Sequence, residues 1–235
     1  MRAEPASLAL PLNGGENGDL VTDLRQLLSS PTAAAASSDY DLNPGIRLPE
    51  GRILRPAAVL IPVLADPRGA RVMLTKRSSQ LKHHPGQIAF PGGKTDAADT
   101  SPEATALREA WEETGLPPGS VSLIGRLPQH ETVTGFQITP VLGLIDGPFT
   151  PRPEAGEVDE IFTVPLAHLL SIPRYAIERR MWRGDWRRYY TVPWGPWYIW
   201  GATARILRGL AGRYAEHQQT QSQQLQNRPA ESGTP

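Results

Sequence analysis

Apolar positions along the chain fall into runs with two distinct periods. Residues 57–64 (AAVLIPVL) read as a strand, Asp66-Pro67-Arg68-Gly69 reads as a turn, and residues 71–75 (RVMLT) resume a strand, which together predict a hairpin. Further strands are predicted over residues 121–126, 136–145 and 160–164. Residues 101–114 predict a central helix: Thr100 or Ser101 can cap it, Pro102 suits its first position, and Gly115 follows the last periodic residue. Residues 201–214 predict a second helix with Ala204, Leu207 and Leu210 on one face. Leu20, Leu24, Leu27 and Leu28 recur at helical intervals in a short lead-in, followed by a Pro/Ala/Ser stretch through Ser38 that reads as a linker. Strands before and after a central helix, with no internal repeat, predict a mixed α/β or α+β layered domain. The expected organisation is a flexible N-terminus over 1–17, a helical lead-in and linker over 18–54, the folded domain over 55–214, and a disordered Gln-rich tail over 215–235.

Composition narrows the chemistry. Among 235 residues, 24 Lys+Arg balance 24 Asp+Glu, and there is no cysteine. Disulfides, thiolate metal sites and cysteine nucleophiles are thereby excluded, and the absence fits a reducing cytoplasm. Net charge zero argues against a general electrostatic grip on nucleic acid or an anionic membrane, while leaving a local basic patch open. No stretch approaches the roughly 20 apolar residues of a membrane-spanning helix, and Pro5, Pro11 and Glu4 spoil a signal-peptide reading of the N-terminus. A cytoplasmic protein is expected.

The most informative run is Arg108-Glu109-Ala110-Trp111-Glu112-Glu113-Thr114-Gly115. On a helix Glu109, Glu112 and Glu113 stand at i, i+3 and i+4, so three carboxylates share one face and repel one another. Such a face can be merely solvated, compensated by Arg108, or filled by a hard divalent cation such as Mg2+ or Mn2+. Immediately upstream, Gly92-Gly93 permits close backbone approach and a carbonyl aimed at a cation, or forms an ordinary turn. His83-His84 reads better as loop histidines near phosphate than as a metal pair, because adjacent side chains in extended backbone point apart. Five of the six Trp fall within residues 182–200, interleaved with Arg179, Arg180, Arg183, Arg187 and Arg188. That segment suits packing at a sheet edge or a homodimer contact; base stacking and a grip on a further phosphate are the alternatives.

Gly93 through Leu116 resembles the Nudix box, Gly-x5-Glu-x7-Arg-Glu-apolar-x-Glu-Glu-x-Gly-apolar. The second half matches at Arg108, Glu109, Glu112, Glu113 and Gly115; in the first half Asp99 replaces Glu and eight residues, not seven, separate it from Arg108. A second run, Met73-Leu74-Thr75-Lys76-Arg77-Ser78, then Lys82, Gly86 and Phe90-Pro91-Gly92-Gly93, resembles the signature of the coenzyme A pyrophosphatase branch of Nudix hydrolases, with Met73 in place of Leu and Lys82 in place of Arg. The longer spacing and Asp99 are also features of that branch. The resemblance implies a Nudix-like α/β/α sandwich with a mixed central sheet. It further implies metal-dependent hydrolysis of the diphosphate of CoA, a small-molecule substrate, to 4'-phosphopantetheine and 3',5'-ADP. Glu109, Glu112, Glu113 and the Gly93 carbonyl are implied to hold Mg2+ or Mn2+, with Arg108 fixing the cluster. Glu109 or Glu157 is the implied general base, and Arg77, Lys82, His84 and Gly92 the implied substrate contacts. Hydrolysis of another nucleoside diphosphate derivative (ADP-ribose or a nucleoside triphosphate) and a non-catalytic nucleotide-binding module are the competing readings.

Overall fold

A computed structural model of the chain describes residues 16–29, 35–46, 48, 51–64, 66, 68–182 and 184–226. The segments 1–15 and 227–235, expected to be mobile, and Arg183 of the basic segment lie outside the described residues. The elements are α1 (Glu16–Ser29), β1 (Ser37–Ser38), β2 (Arg55–Leu64), β3 (Arg71–Arg77), β4 (Ile88–Ala89), β5 (Gly92–Lys94) and α2 (Pro102–Thr114). They continue with β6 (Val121–Arg126), β7 (His130–Glu131), β8 (Phe136–Ile145), β9 (Val158–Pro165), α3 (Leu166–Leu170), β10 (Ala176–Trp182), β11 (Asp185–Thr191) and α4 (Gly201–Gln226).

Nine strands form a mixed sheet in the order β1-β7-β8-β2-β3-β4, with β5 also on β2, β6 on β8 and β9 on β3. The central β2–β8 ladder is parallel from Arg55 opposite Phe136 to Val63 opposite Leu144. The β2–β3 hairpin is antiparallel as predicted, but its ladder holds only Val63–Val72 and Leu64–Arg71, because β5 takes the same edge of β2 lower down. Strand β2 is nearly all apolar because both of its faces are covered. Ala58, Leu60 and Leu64 pack with Ala106 and Ala110 of α2, whereas Ile61 and Val63 pack on the other side with α1, α3 and α4. Helices on both faces of a mixed sheet make this an α+β sandwich of the expected kind.

Helix α2 begins where the sequence predicts: the Ser101 hydroxyl accepts from Ala104 N, Pro102 opens the first turn, and Gly115 closes it in the left-handed conformation at φ 71°. Two expectations are corrected. The final helix does not stop at residue 214 with a disordered tail beyond; α4 continues to Gln226, held against α1 where Gln218 donates to Asp23 (2.6 Å) and Gln221 to Gln26 (3.0 Å). Residues 37–46 are not a free linker before a domain starting at 55. Ser37 and Ser38 pair with β7, and buried His130 bonds both Ser37 Oγ (2.9 Å) and Asp39 (3.2 Å). The Trp/Arg segment forms the antiparallel β10–β11 hairpin, a second sheet absent from the sequence reading. Trp197 stacks on core Phe162 at 4.1 Å and donates to Glu160, whereas Trp186 is exposed. No helix among the described residues is long and apolar enough to cross a membrane.

Candidate active site

The acidic face of α2 lies against β5. Glu113 is buried, with its side chain 3% exposed; Glu109 is 15% exposed and Glu112 54%. The ordering follows from how far round the helix each residue turns from the sheet. Gly92 N–H donates to Glu113 Oε2 at 3.3 Å, and the Arg77 guanidinium stands 3.7 Å from Glu113 Oε1. Burial pushes the Glu113 carboxyl up to about 8, with Arg77 and the Gly92 bond acting in the opposite direction. Burial also raises Glu109, while Arg108 pulls it back.

The two glycines serve differently. Gly92 has φ 156°, and a Cβ there would sit 2.5 Å from Ala58 O. A Cβ on Gly93 would fall 2.5 Å from the carboxyl carbon of Glu109, so any side chain there displaces that carboxyl.

Arg108 holds the acids together. Its Nε and Nη2 form a two-pronged grip on Asp99 at 3.0 and 2.9 Å, its Nη1 donates to Glu109 (3.0 Å) and Glu112 (3.1 Å), and Nη2 reaches Lys94 O (3.2 Å). Asp99 also accepts from Asp96 N and Thr105 Oγ1, and Arg108 chiefly drives its carboxyl well below the usual range. Asp99 is therefore wired to the cluster through Arg108 despite the altered spacing of the loop.

Glu157 reaches the cluster from another part of the chain. After β8, Arg152 and Glu154 donate N–H bonds to the last carbonyls of α2, those of Thr114 and Glu113, and Ser78 N donates to Glu157 O. Glu157 consequently adds to the upward push on both Glu109 and Glu113. No spacing in the sequence brings Glu157 here, since three strands, β6, β7 and β8, separate it from α2 along the chain.

The upstream loop is less tightly joined. Lys82 is exposed, and His84 adopts a left-handed backbone with φ 55°. Desolvation and nearby Arg77 lower the His84 pKa. Neither side chain belongs to the carboxylate cluster. Among the described residues, no group of three or more Asp, Glu or His is gathered as a ready metal cage. The donor set nonetheless suits a hard cation: hard oxygen ligands, one of them desolvated, crowded by like charge and set against a glycine backbone.

A family model of the NUDIX domain matches residues 54–183. The chain belongs to the Nudix hydrolase family. Over 157 residues it is 45% identical to the protein called NudL in Escherichia coli, covering 67% of this chain and 81% of that one. NudL of Escherichia fergusonii matches with the same identity and coverage. Both relatives are described as uncharacterized Nudix hydrolases. Among solved structures, the M. smegmatis Nudix hydrolase RenU is 18% identical, covering 74% of this chain and 96% of that one with a TM-score of 0.44.

Proposed function

We propose that this Nudix hydrolase cleaves the diphosphate of coenzyme A or a CoA derivative to 4'-phosphopantetheine, or its acylated form, and 3',5'-ADP. One observation carries the reading: the segment resembling the CoA pyrophosphatase signature is continuous with the carboxylate cluster, meeting it at both ends. Arg77 faces Glu113 at one end, and the Gly92 N–H bonds the same carboxyl at the other. Glu109, Glu112, Glu113 and the Gly93 carbonyl hold Mg2+ or Mn2+. Such a cation supplies neutralisation of phosphoryl charge and a more acidic bound water.

The chain's own residues do the rest. Arg108 keeps the carboxylates on one side of the helix, positioned in turn by Asp99. Glu109 or Glu157 takes the proton of the attacking water: Glu109 stands within the cluster, and Glu157 lies near enough to push up both Glu109 and Glu113. Arg77, Lys82 and His84 grip the diphosphate, with Gly92 letting the backbone approach it. Lys82 offers a point charge where an Arg would offer a fork, so it orients phosphate less strictly.

The test is product analysis after incubation with CoA, ADP-ribose and a nucleoside triphosphate in parallel, each with Mg2+, Mn2+ or chelator. Metal-dependent release of 3',5'-ADP from CoA, ahead of turnover of the other two, is expected. Faster turnover of ADP-ribose or the triphosphate sinks the substrate reading, and no turnover of any sinks the enzymatic one. Glu112→Gln removes charge at nearly constant volume and is expected to abolish metal-dependent turnover.

A further inference from the structure

The β10–β11 hairpin stands apart from the main sheet, and its two edges are unlike. On β11, Asn43 closes the outer edge: its amide donates to Arg188 O (3.0 Å) and accepts from Arg188 N (2.9 Å). Since Arg188 turns its backbone polar groups away from β10, its partner Arg179 is a non-hydrogen-bonded position of the hairpin, and so are Ile177 and Met181 two residues either side. The N–H and C=O groups of Ile177, Arg179 and Met181 therefore point outward from β10, where, among the described residues, the sheet ends. Their side chains share one face, and Ile177 and Met181 are 53% and 51% exposed. Glu178 and Arg180 share the other face.

The sequence of this edge, Ile177-Glu178-Arg179-Arg180-Met181, is complementary to itself when reversed. We propose that the outer edge of β10 is a dimerisation surface, on which a second copy of the chain docks its own β10 antiparallel with Arg179 opposite the partner's Arg179. In that register every outward backbone group meets an outward group. Ile177 lies beside the partner's Met181, and Glu178 beside the partner's Arg180, each contact occurring twice by symmetry. Registers shifted to centre on Glu178 or Arg180 set like charge on like charge with no compensating pair, and centring on Ile177 or Met181 forms no ion pair. The one unfavourable contact is Arg179 on the partner's Arg179. It is exposed, and each guanidinium already lies over its own Trp186 ring at 5.0 Å. Edge strands left open in this way are what β-augmentation uses.

The test uses the full chain in sedimentation equilibrium over a wide concentration range. Wild type is expected to dimerise. Glu178→Arg and Arg180→Glu each replace both ion pairs by like-charge pairs and are expected to weaken dimerisation at least about tenfold. An equimolar mixture of the two variants is expected to form a heterodimer, because each then supplies the charge the other lacks. A monomeric wild type, single variants that dimerise like wild type, or a mixture that stays monomeric overturns the proposal. Should either single variant fail to fold by circular dichroism, the double variant E178R/R180E decides: wild-type-like dimerisation supports the register, and a folded monomer overturns it.

Discussion

Arg108 and Asp99 meet through two parallel N–H···O bonds, and much of the site's geometry depends on that pair. Asp99→Asn leaves the volume and removes the charge, so Arg108 loses its anchor while still facing Glu109 and Glu112. Charged hydrogen bonds of this kind contribute about 1.5–3 kcal/mol when satisfied, and a thermal melt should show a drop of several degrees for a chain of this size. The pH dependence has a definite sign. Asp99 is depressed in the folded state, so the unfolded chain binds more protons, and the pair stabilises fully above the unfolded value near about 3.9. That stability is lost as pH falls below this range. The wild-type Tm should fall more steeply than that of Asp99→Asn on acidification from about pH 5 toward pH 2; parallel curves would refute the pairing as a source of stability. At Gly93 the expected signature is opposite. Gly93→Ala needs no forbidden φ, yet its methyl meets the Glu109 carboxyl, so kcat should fall by about a hundredfold from sub-ångström displacement while the Tm changes little.

At the scale of elements, α4 makes its case through glutamines. Gln218 donates both to Asp23 of α1 and to Tyr214 Oη, and Tyr214 also reaches Asp23. Gln218→Ala should lower stability by about 1–2 kcal/mol and speed amide exchange in α1 before the sheet, measurable residue by residue. Uniform exchange would mean that α1 does not depend on this contact. This helix end was illegible in the sequence because glutamine is a good helix former with no apolar period to betray it. The β10–β11 hairpin is illegible for a related reason: both of its faces are largely solvated, so no alternation of apolar and polar positions marks it. Strands β2 and β8, buried on both sides, and α2, with cap, proline and closing glycine, were legible almost to the residue. In the site, the glutamate face could be read from i, i+3, i+4 spacing alone. The convergence of Asp99 and Glu157 on it is implied by the family resemblance and by no spacing, because one depends on a loop of altered length and the other on a connection hooked back onto the end of α2.

For the molecule as a whole, the two layers of core have different duties. The cluster under α2 (Ala58, Leu60, Leu64, Met73, Ala106, Ala110, Leu116, Val141 and Ile145) sets how closely the acidic helix approaches Gly92 and Gly93. The larger cluster under α1, α3 and α4 holds the opposite face and carries no residue of the carboxylate cluster. Ala110 in α2 and Ala211 in α4 are both wholly inaccessible to solvent. Enlarging either to Leu overpacks a close-packed interior at a similar cost, about 1–3 kcal/mol. Their effects on turnover should nevertheless diverge. Ala110→Leu lifts the helix that carries Glu109 and Glu113, breaking the Gly92–Glu113 bond and the fit of Glu109 over Gly93, so kcat should fall by about tenfold or more through misplacement. Ala211→Leu strains the far layer, and the sheet between them passes little of that strain to the turn, so kcat at a temperature well below its Tm should stay near the wild-type value. Measuring kcat and Tm for both variants separates the two effects. Equal losses of kcat at equal losses of stability would mean that the site responds to global strain, and that the spacing of α2 from β5 has no special control over it.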